Sequence, residues 1–142
     1  MRIYFDMDGT IANFYGVEGW LNYIINEDTF PYANAKPLIN MQRLARRLNM
    51  LQERGCEIGV ISWLAKGSTP EYDERVAEAK RRWLAKHLTS VQFDEIIIVK
   101  YGTPKHTLGS GILFDDEKPN RDNWGKSAYT PEEIFEVLKE LA

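Results

Sequence analysis

Two acidic residues lie two positions apart at the end of an apolar segment near the start of the chain. Asp6 and Asp8 follow the apolar residues 3–5, and Gly9 comes directly after them. Side chains two positions apart in an extended segment point to the same side, so both carboxylates can face one pocket. Gly9 allows a sharp turn and a close approach of a ligand to the backbone. Such a pair can divide into a nucleophile and an acid–base group.

A second acidic pair follows another apolar segment much later in the chain. Asp115 and Asp116 come directly after residues 112–114. Together with Asp6 and Asp8 they form a set of carboxylates without a clear cluster of His or Cys, which suits a hard cation that prefers oxygen ligands. We therefore predict a Mg²⁺ site formed by these four residues.

One hydroxyl and one amine complete the candidate site. Ser62 ends the apolar segment 58–61 and can hold a phosphate oxygen, although serine is also common at the end of a strand. Lys105 can supply the positive charge that phosphoryl transfer requires. Lys100 is the competing lysine, because it follows directly after the apolar residues 96–99. We predict catalytic roles for Ser62 and for one of these lysines, Lys105 being favoured by the family resemblance described below, and substrate contacts for Gly9, Thr10, Phe14 and Trp63.

Strands and helices alternate along the chain, which favours an α/β fold with a parallel sheet. Apolar runs predict four strands, at residues 2–6, 57–61, 95–99 and 111–115. Helical periodicity predicts three helices, at residues 37–54, 69–87 and 130–141, and turn-forming residues predict a loop at 117–128. Ligands in such sheets bind beyond the carboxyl ends of the strands, where the polar residues named above lie.

Residues 13–36 do not fit a strand or a single helix. The segment is rich in aromatic residues, and only residues 17–27 have the pattern of a short helix. We interpret it as a small cap inserted after the first strand. Phe14, the aromatic residue nearest to Asp6 and Asp8, can either stack on a substrate ring or belong to the small core of this insert.

Composition sets limits on the class of protein. The chain has 142 residues, which suits a single domain, and a formal net charge of −3, which does not favour a stable nucleic-acid complex. Its single cysteine, Cys56, cannot form an internal disulfide and indicates a reducing compartment. No apolar stretch is long enough to span a membrane, and the acidic start does not resemble a secretory signal. We expect a cytoplasmic protein, and the oligomeric state stays open.

The order of these motifs resembles that of the haloacid dehalogenase (HAD) superfamily of phosphohydrolases. Asp6-Met7-Asp8-Gly9-Thr10 resembles its first motif, Ser62 its second, Lys105 its third and Leu113-Phe114-Asp115-Asp116 its fourth. The resemblance implies a Rossmann-like three-layer sandwich with a mostly parallel sheet and a small helical cap. It also implies that Asp6 forms an aspartyl-phosphate and that Asp8 protonates the leaving group and then activates water. Mg²⁺ would be held by Asp6, by the backbone carbonyl of Asp8 and by either Asp115 or Asp116.

Within that superfamily the chain is most similar to the 5′(3′)-deoxyribonucleotidase group, through its aromatic insert and the spacing from Lys105 to Asp115. This similarity implies a phosphomonoesterase whose favoured substrates are nucleoside monophosphates. Two alternatives remain at this stage. One is a phosphatase of another small phosphometabolite or of nucleic-acid 3′-phosphate ends, and the other is a non-catalytic domain that binds phosphate or regulates a partner.

Overall fold

The computed structural model describes residues 1–142 and contains one five-stranded sheet in which every neighbouring pair of strands is parallel. The strands are β1 (Arg2–Phe5), β2 (Glu57–Trp63), β3 (Glu95–Val99), β4 (Ile112–Phe114) and β5 (Ala128–Tyr129). Their order across the sheet is β3-β2-β1-β4-β5, so β1 is the central strand. The predicted α/β class with a parallel sheet is therefore confirmed.

Six α-helices accompany the sheet, and none of them is long and apolar enough to cross a membrane. They are α1 (Trp20–Ile25), α2 (Phe30–Asn34), α3 (Met41–Glu53), α4 (Pro70–His87), α5 (Lys118–Trp124) and α6 (Ile134–Leu141). Short 3₁₀ turns occur at Phe14–Gly16, Lys105–Thr107 and Pro131–Glu133. Every connection between consecutive strands contains at least one of these helices or 3₁₀ turns.

The central strand is buried on both faces, as its continuous apolar sequence predicts. Ile3 and Phe5 point into the main core, which α3, α4 and α6 cover with residues such as Leu44, Trp83 and Leu138. Tyr4 points to the opposite face, into a smaller cluster with Ile61, Leu113 and, at its edge, Trp124 of α5. The sheet thus has helices on both sides, with the thicker layer on the side of α3, α4 and α6.

The predicted loop at residues 117–128 is wrong, and so is the count of four strands. Residues 118–124 form α5, and residues 128–129 form β5 beside β4. Pro119 lies in the first turn of α5, where its missing N–H is not needed, and Lys118 forms an i,i+4 ion pair with Asp122 at 2.7 Å. A seven-residue helix and a two-residue strand are too short to produce a periodic apolar pattern.

Capping residues account for the helix boundaries. Thr69 accepts a hydrogen bond from the Tyr72 amide at the start of α4, and Thr130 and Glu133 form a capping box before α6. Helix α3 begins later than expected, because the Asn40 side chain caps it at Met41. Pro37, predicted in its first turn, instead lies in an isolated antiparallel bridge with Ala12.

The insert at residues 13–36 contains α1 and α2 rather than the one helix predicted. Its aromatic residues Phe14 and Tyr32 pack against Tyr72 and Val76 of α4, forming a second apolar cluster separate from the main core. The Tyr72 hydroxyl donates a hydrogen bond of 2.8 Å to the carbonyl oxygen of Asp28. The insert is thereby attached to the first half of α4, above the carboxyl ends of the strands.

Candidate active site

The candidate site lies at the point in the sheet where the order of the strands changes direction. From β1 the chain adds β2 and β3 on one side and then returns to add β4 on the other, so β1 and β4 flank a topological switch point. Asp6 follows β1 and Asp115 follows β4, and the Asp6 amide donates to the carbonyl oxygen of Phe114 at 2.9 Å. Parallel pairing therefore brings two carboxylates together that are far apart in the sequence.

Asp6 is buried and each of its carboxylate oxygens has a fixed partner. Lys105 Nζ lies 2.8 Å from Oδ1, and the Thr10 hydroxyl lies 3.0 Å from Oδ2. An ion pair with so little exposure fixes the carboxylate in one orientation far more firmly than a surface pair would. Asp6 is thus held with a defined orientation at the tip of the central strand.

Lys105 reaches the site from the 3₁₀ turn Lys105–Thr107, and it also lies 2.8 Å from Oδ2 of Asp115. Burial alone would lower the pKa of Lys105, but the charges of Asp6 and Asp115 outweigh this effect and raise it. The lysine is therefore a permanent cation between two carboxylates. Lys100, the competing residue in the sequence, is exposed and makes no side-chain contact with the site.

Three carboxylates form a compact cluster beside this lysine. One oxygen each of Asp6, Asp115 and Asp116 lies within 4.8 Å of the others. The pKa of Asp115 is raised to about 6, first by burial and then by the charge of Asp6. The pKa of Asp116 is raised to about 8 by burial, by its hydrogen-bonded contact with Asp6 and by neighbouring negative charge. Repulsion of this kind favours a bound cation or a proton, and the donor set contains only oxygen.

Asp8, the fourth carboxylate predicted for the metal site, has its side chain outside this cluster. The backbone carbonyl oxygen and the amide of Asp8 make no hydrogen bond within the protein. The adjacent backbone groups do, because the Met7 carbonyl oxygen accepts from the Ala12 amide and the Gly9 amide donates to the Ala12 carbonyl oxygen. The carbonyl oxygen is therefore free to ligate a cation, and the amide is free to donate to an anion.

Gly9 and Thr10 lie behind the carboxylates rather than in the wall of the cavity. Gly9 has φ of +81°, and a Cβ added to it would lie 2.3 Å from Oδ2 of Asp116. The Thr10 hydroxyl accepts a hydrogen bond of 3.2 Å from the Asp116 amide and lies 3.0 Å from Asp6. Both residues therefore act by holding the carboxylates together, a role different from the predicted substrate contact.

Ser62 is fully buried, and its hydroxyl is hydrogen-bonded to a lysine that was not among the predicted site residues. Lys80 of α4 lies 2.6 Å from Ser62 Oγ, 3.0 Å from Oδ2 of Asp8 and 2.8 Å from the carbonyl oxygen of Trp63. Ser62 does not line the cavity. One signal was present in the sequence: Lys80 lies four residues after the apolar Val76, on the same face of the helix predicted at residues 69–87.

Two residues of α5 hold the second acidic pair in place. The Asn120 side-chain amide lies 3.3 Å from Oδ2 of Asp115, and Arg121 donates to the Asp115 carbonyl oxygen at 3.0 Å. Pro119 lies in the first turn of the helix that presents them. The sequence allowed Asn120 and Arg121 to reach the site from a loop, but turn chemistry already accounted for the asparagine, so neither was among the predicted site residues.

A cavity of about 560 Å³ opens above Asp6, Asp8 and Lys105. Its walls are mostly apolar and aromatic, and they come from the insert and from the segments that follow β2 and β3: Phe14, Tyr15, Trp20, Leu21, Ile24, Ile25, Tyr32, Trp63, Leu64, Tyr72 and Tyr101. Phe14 is only 3% exposed, so it is a core residue of the insert as well as part of the wall. Trp63 donates from its ring nitrogen to Thr103, and its ring lies over the Lys105 ammonium.

No family model matches this chain, and no curated protein matches it.

Proposed function

We propose that this protein is a Mg²⁺-dependent phosphomonoesterase of the HAD type that acts through an aspartyl-phosphate on Asp6, with nucleoside monophosphates as its favoured substrates. The observation that carries the proposal is the position of Asp6. Its carboxylate contacts Lys105, belongs to the cluster with Asp115 and Asp116, and lines the cavity. A nucleophile, its cation partner and a place for the substrate thus meet at one strand end.

The donor set fits Mg²⁺. Three clustered carboxylates and the unpaired carbonyl oxygen of Asp8 offer only hard oxygen ligands, and one of the carboxylates, that of Asp116, is partly exposed to solvent. Mg²⁺ typically binds to one or two carboxylates and keeps several waters or phosphate oxygens. When bound, it offsets the repulsion between an anionic phosphate and the anionic Asp6. Asp6, Asp116 and the Asp8 carbonyl would hold it, because Asp6 lines the cavity and Asp116 is partly exposed, whereas Asp115 is fully buried.

The reaction then needs two displacements at phosphorus. In the first, an Asp6 oxygen forms a bond to phosphorus as the ester bond breaks, and a proton from Asp8 goes to the departing oxygen. In the second, Asp8 takes a proton from water as the water oxygen attacks phosphorus and the bond to Asp6 breaks. Lys105 and the free amide of Asp8 stabilise charge on the phosphoryl oxygens.

The cavity supports a nucleoside as the leaving group. Its volume of about 560 Å³ lies within the range of about 300–1,000 Å³ for small-molecule sites. Aromatic rings from the insert, such as Tyr15, and from the end of β2, at Trp63, line the cavity and can hold a flat base by stacking. A bare sugar phosphate would leave most of this apolar wall uncovered.

Phosphate release with Mg²⁺ from nucleoside monophosphates, sugar phosphates and phosphoamino acids tests the proposal. We expect the nucleotides to be the best substrates, and Asp6→Asn to lower kcat by several orders of magnitude. The matched control is Asp122→Asn, an exposed acid paired only with Lys118, which should retain wild-type turnover. Equal turnover in the Asp6 variant would refute the mechanism.

Two further measurements distinguish the proposed function from its alternatives. Faster turnover of a 3′-phosphorylated oligonucleotide than of the mononucleotide would favour nucleic-acid ends as substrates. Tight Mg²⁺-dependent nucleotide binding without turnover on any substrate would favour a non-catalytic domain.

A further inference from the structure

Lys80 is a buried charge for which the proposed chemistry has so far no role. It lies on α4, its side chain is 1% exposed, and its ammonium is 5.1 Å from the centre of the Tyr32 ring. Burying a lysine is unfavourable unless hydrogen bonds and an opposite charge compensate for the lost water. The arrangement around Lys80 therefore needs a specific explanation.

All three donors of the ammonium are used within the protein. They point to Oδ2 of Asp8 at 3.0 Å, to Ser62 Oγ at 2.6 Å and to the Trp63 carbonyl oxygen at 2.8 Å. An ammonium group has three N–H donors, so none is left for a substrate phosphate. Lys80 also does not line the cavity, in contrast to Lys105. Its direct effect is on Asp8.

The two candidate catalytic carboxylates have separate lysine partners. Lys105 lies 2.8 Å from Asp6, and Lys80 lies 3.0 Å from Asp8. The side chain of Asp8 is consequently held apart from the cluster of Asp6, Asp115 and Asp116. This separation gives Asp8 a position suited to proton transfer rather than to metal binding.

We infer that Lys80 is a positioning residue that orients Asp8 for proton transfer, an inference that rests on the proposed phosphomonoesterase function. Only Oδ2 of Asp8 is bonded to Lys80, and Oδ1 makes no hydrogen bond within the protein, while Asp8 lines the cavity. Because Oδ2 accepts a hydrogen bond from Lys80, Oδ1 is the oxygen through which Asp8 can exchange a proton. The Oδ1–H bond then breaks as the proton joins the leaving oxygen, and Oδ1 regains a proton from the attacking water.

A comparison of two esters of similar size tests this role. p-Nitrophenyl phosphate has a leaving group that departs with little protonation, whereas benzyl phosphate has an alcohol leaving group that requires a proton. We expect Lys80→Met to lower kcat/KM for benzyl phosphate by about 100-fold, in line with the usual contribution of general acid catalysis, and to lower it much less for p-nitrophenyl phosphate. Lys86→Met, an exposed lysine of the same helix, is the control and should leave both values unchanged.

A double variant keeps the test decisive if Lys80→Met alone does not fold. Asp8→Asn combined with Lys80→Met leaves no unpaired buried charge, so it should be at least as stable as Asp8→Asn, which leaves the Lys80 ammonium buried without its carboxylate. If Lys80 acts only through Asp8, the double variant should have the same kcat/KM for both esters as Asp8→Asn alone. A further equal loss for both esters would show that Lys80 acts on the phosphate or on the fold and would overturn the inference.

The failures of the two proposals are distinguishable. Hydrolysis of both esters by the wild type, with an unchanged ratio of kcat/KM in Lys80→Met, refutes only the role of Lys80. If the wild type hydrolyses neither ester in the presence of Mg²⁺, the phosphomonoesterase proposal fails and the inference fails with it.

Discussion

The carboxylate of Asp6 and the ammonium of Lys105 lie 2.8 Å apart although 99 positions separate them in the chain. The contact depends on the sheet topology, because β1 is central and the segment after β3 must cross over it to reach β4. The same ammonium contacts Asp115 at 2.8 Å. Lys105 therefore connects the ends of the two strands that flank the switch point.

Lys105→Met should destabilise the metal-free protein by about 3–5 kcal/mol, because it leaves Asp6 and Asp115 buried without a cation. Added Mg²⁺ should restore part of this loss, and phosphatase activity should remain abolished. Thermal unfolding with and without Mg²⁺ measures the effect. Lys100→Met is the control, since this exposed lysine should change stability by no more than about 0.5 kcal/mol. A destabilisation as small as that of the control would contradict the structural role of the pair.

Gly9→Ala should abolish activity through the position of Asp116. An alanine at φ of +81° is strained by about 1–2 kcal/mol, and its Cβ would also lie 2.3 Å from Asp116 Oδ2. Gly55 provides the matched control, because it has φ of +94° but no atom within 4 Å of an added Cβ. Both variants should lose similar stability from strain, while only the Gly9 variant should lose turnover and Mg²⁺ binding. Full activity of Gly9→Ala would show that the close approach of Asp116 is unimportant.

Mg²⁺ at the proposed site should stabilise the wild type, because only the folded chain assembles this carboxylate cluster. At a free concentration of 100 times Kd the gain should be about 2.7 kcal/mol. Asp116→Asn should remove most of this gain, since it replaces the most accessible carboxylate of the cluster, and Asp122→Asn should retain it. The melting temperature is measured against Mg²⁺ concentration for the three proteins. An equal Mg²⁺ response of all three would place the cation elsewhere.

The apolar runs predicted four of the five strands well, because β1, β2 and β4 are buried, β3 is half-buried, and all four have apolar sequences. The rule that ligands bind at the carboxyl ends of parallel strands then predicted that Asp6 and Asp115 lie at the same edge of the sheet. The structure places these two residues as that argument requires, with the Asp6 amide bonded to Phe114.

The features that the sequence did not predict are those determined by tertiary contacts. Helix α5 contains Asn120, Asp122 and Asn123, which favour turns, and it is stabilised by contacts such as that of Asn120 with Asp115. The partners of Lys80 could not be read from its helix, because Asp8 and Ser62 come from other strand ends. Only the packing of α4 against those ends shows which groups compensate for its burial.

His87 should make the stability of the protein depend on pH below neutrality. Burial, followed by the charge of Lys86, lowers the pKa of His87, whose ring centre lies 4.4 Å from that of Trp83. His87 therefore binds a proton more readily in the unfolded chain than in the folded protein. The folded protein should consequently lose stability as the pH falls through the ordinary pKa of histidine, about 6.5. His87→Gln should unfold with a weaker pH dependence between about pH 7 and 5, and His106→Gln, at an exposed site, serves as the control. Identical pH dependence of His87→Gln and the wild type would contradict the expectation.

Tyr15→Ala should reduce the preference for nucleotides without impairing the chemistry. The Tyr15 side chain lines the cavity while remaining 50% exposed, and its ring packs edge-on against Phe14 and Trp20. Stacking of a base on an aromatic ring contributes about 1–3 kcal/mol, so kcat/KM for a nucleoside monophosphate should fall by about 5- to 150-fold. Ribose 5-phosphate has the same phosphoester without a base, and its kcat/KM should change little. Equal losses for both substrates would mean that Tyr15 supports the fold of the insert rather than the base.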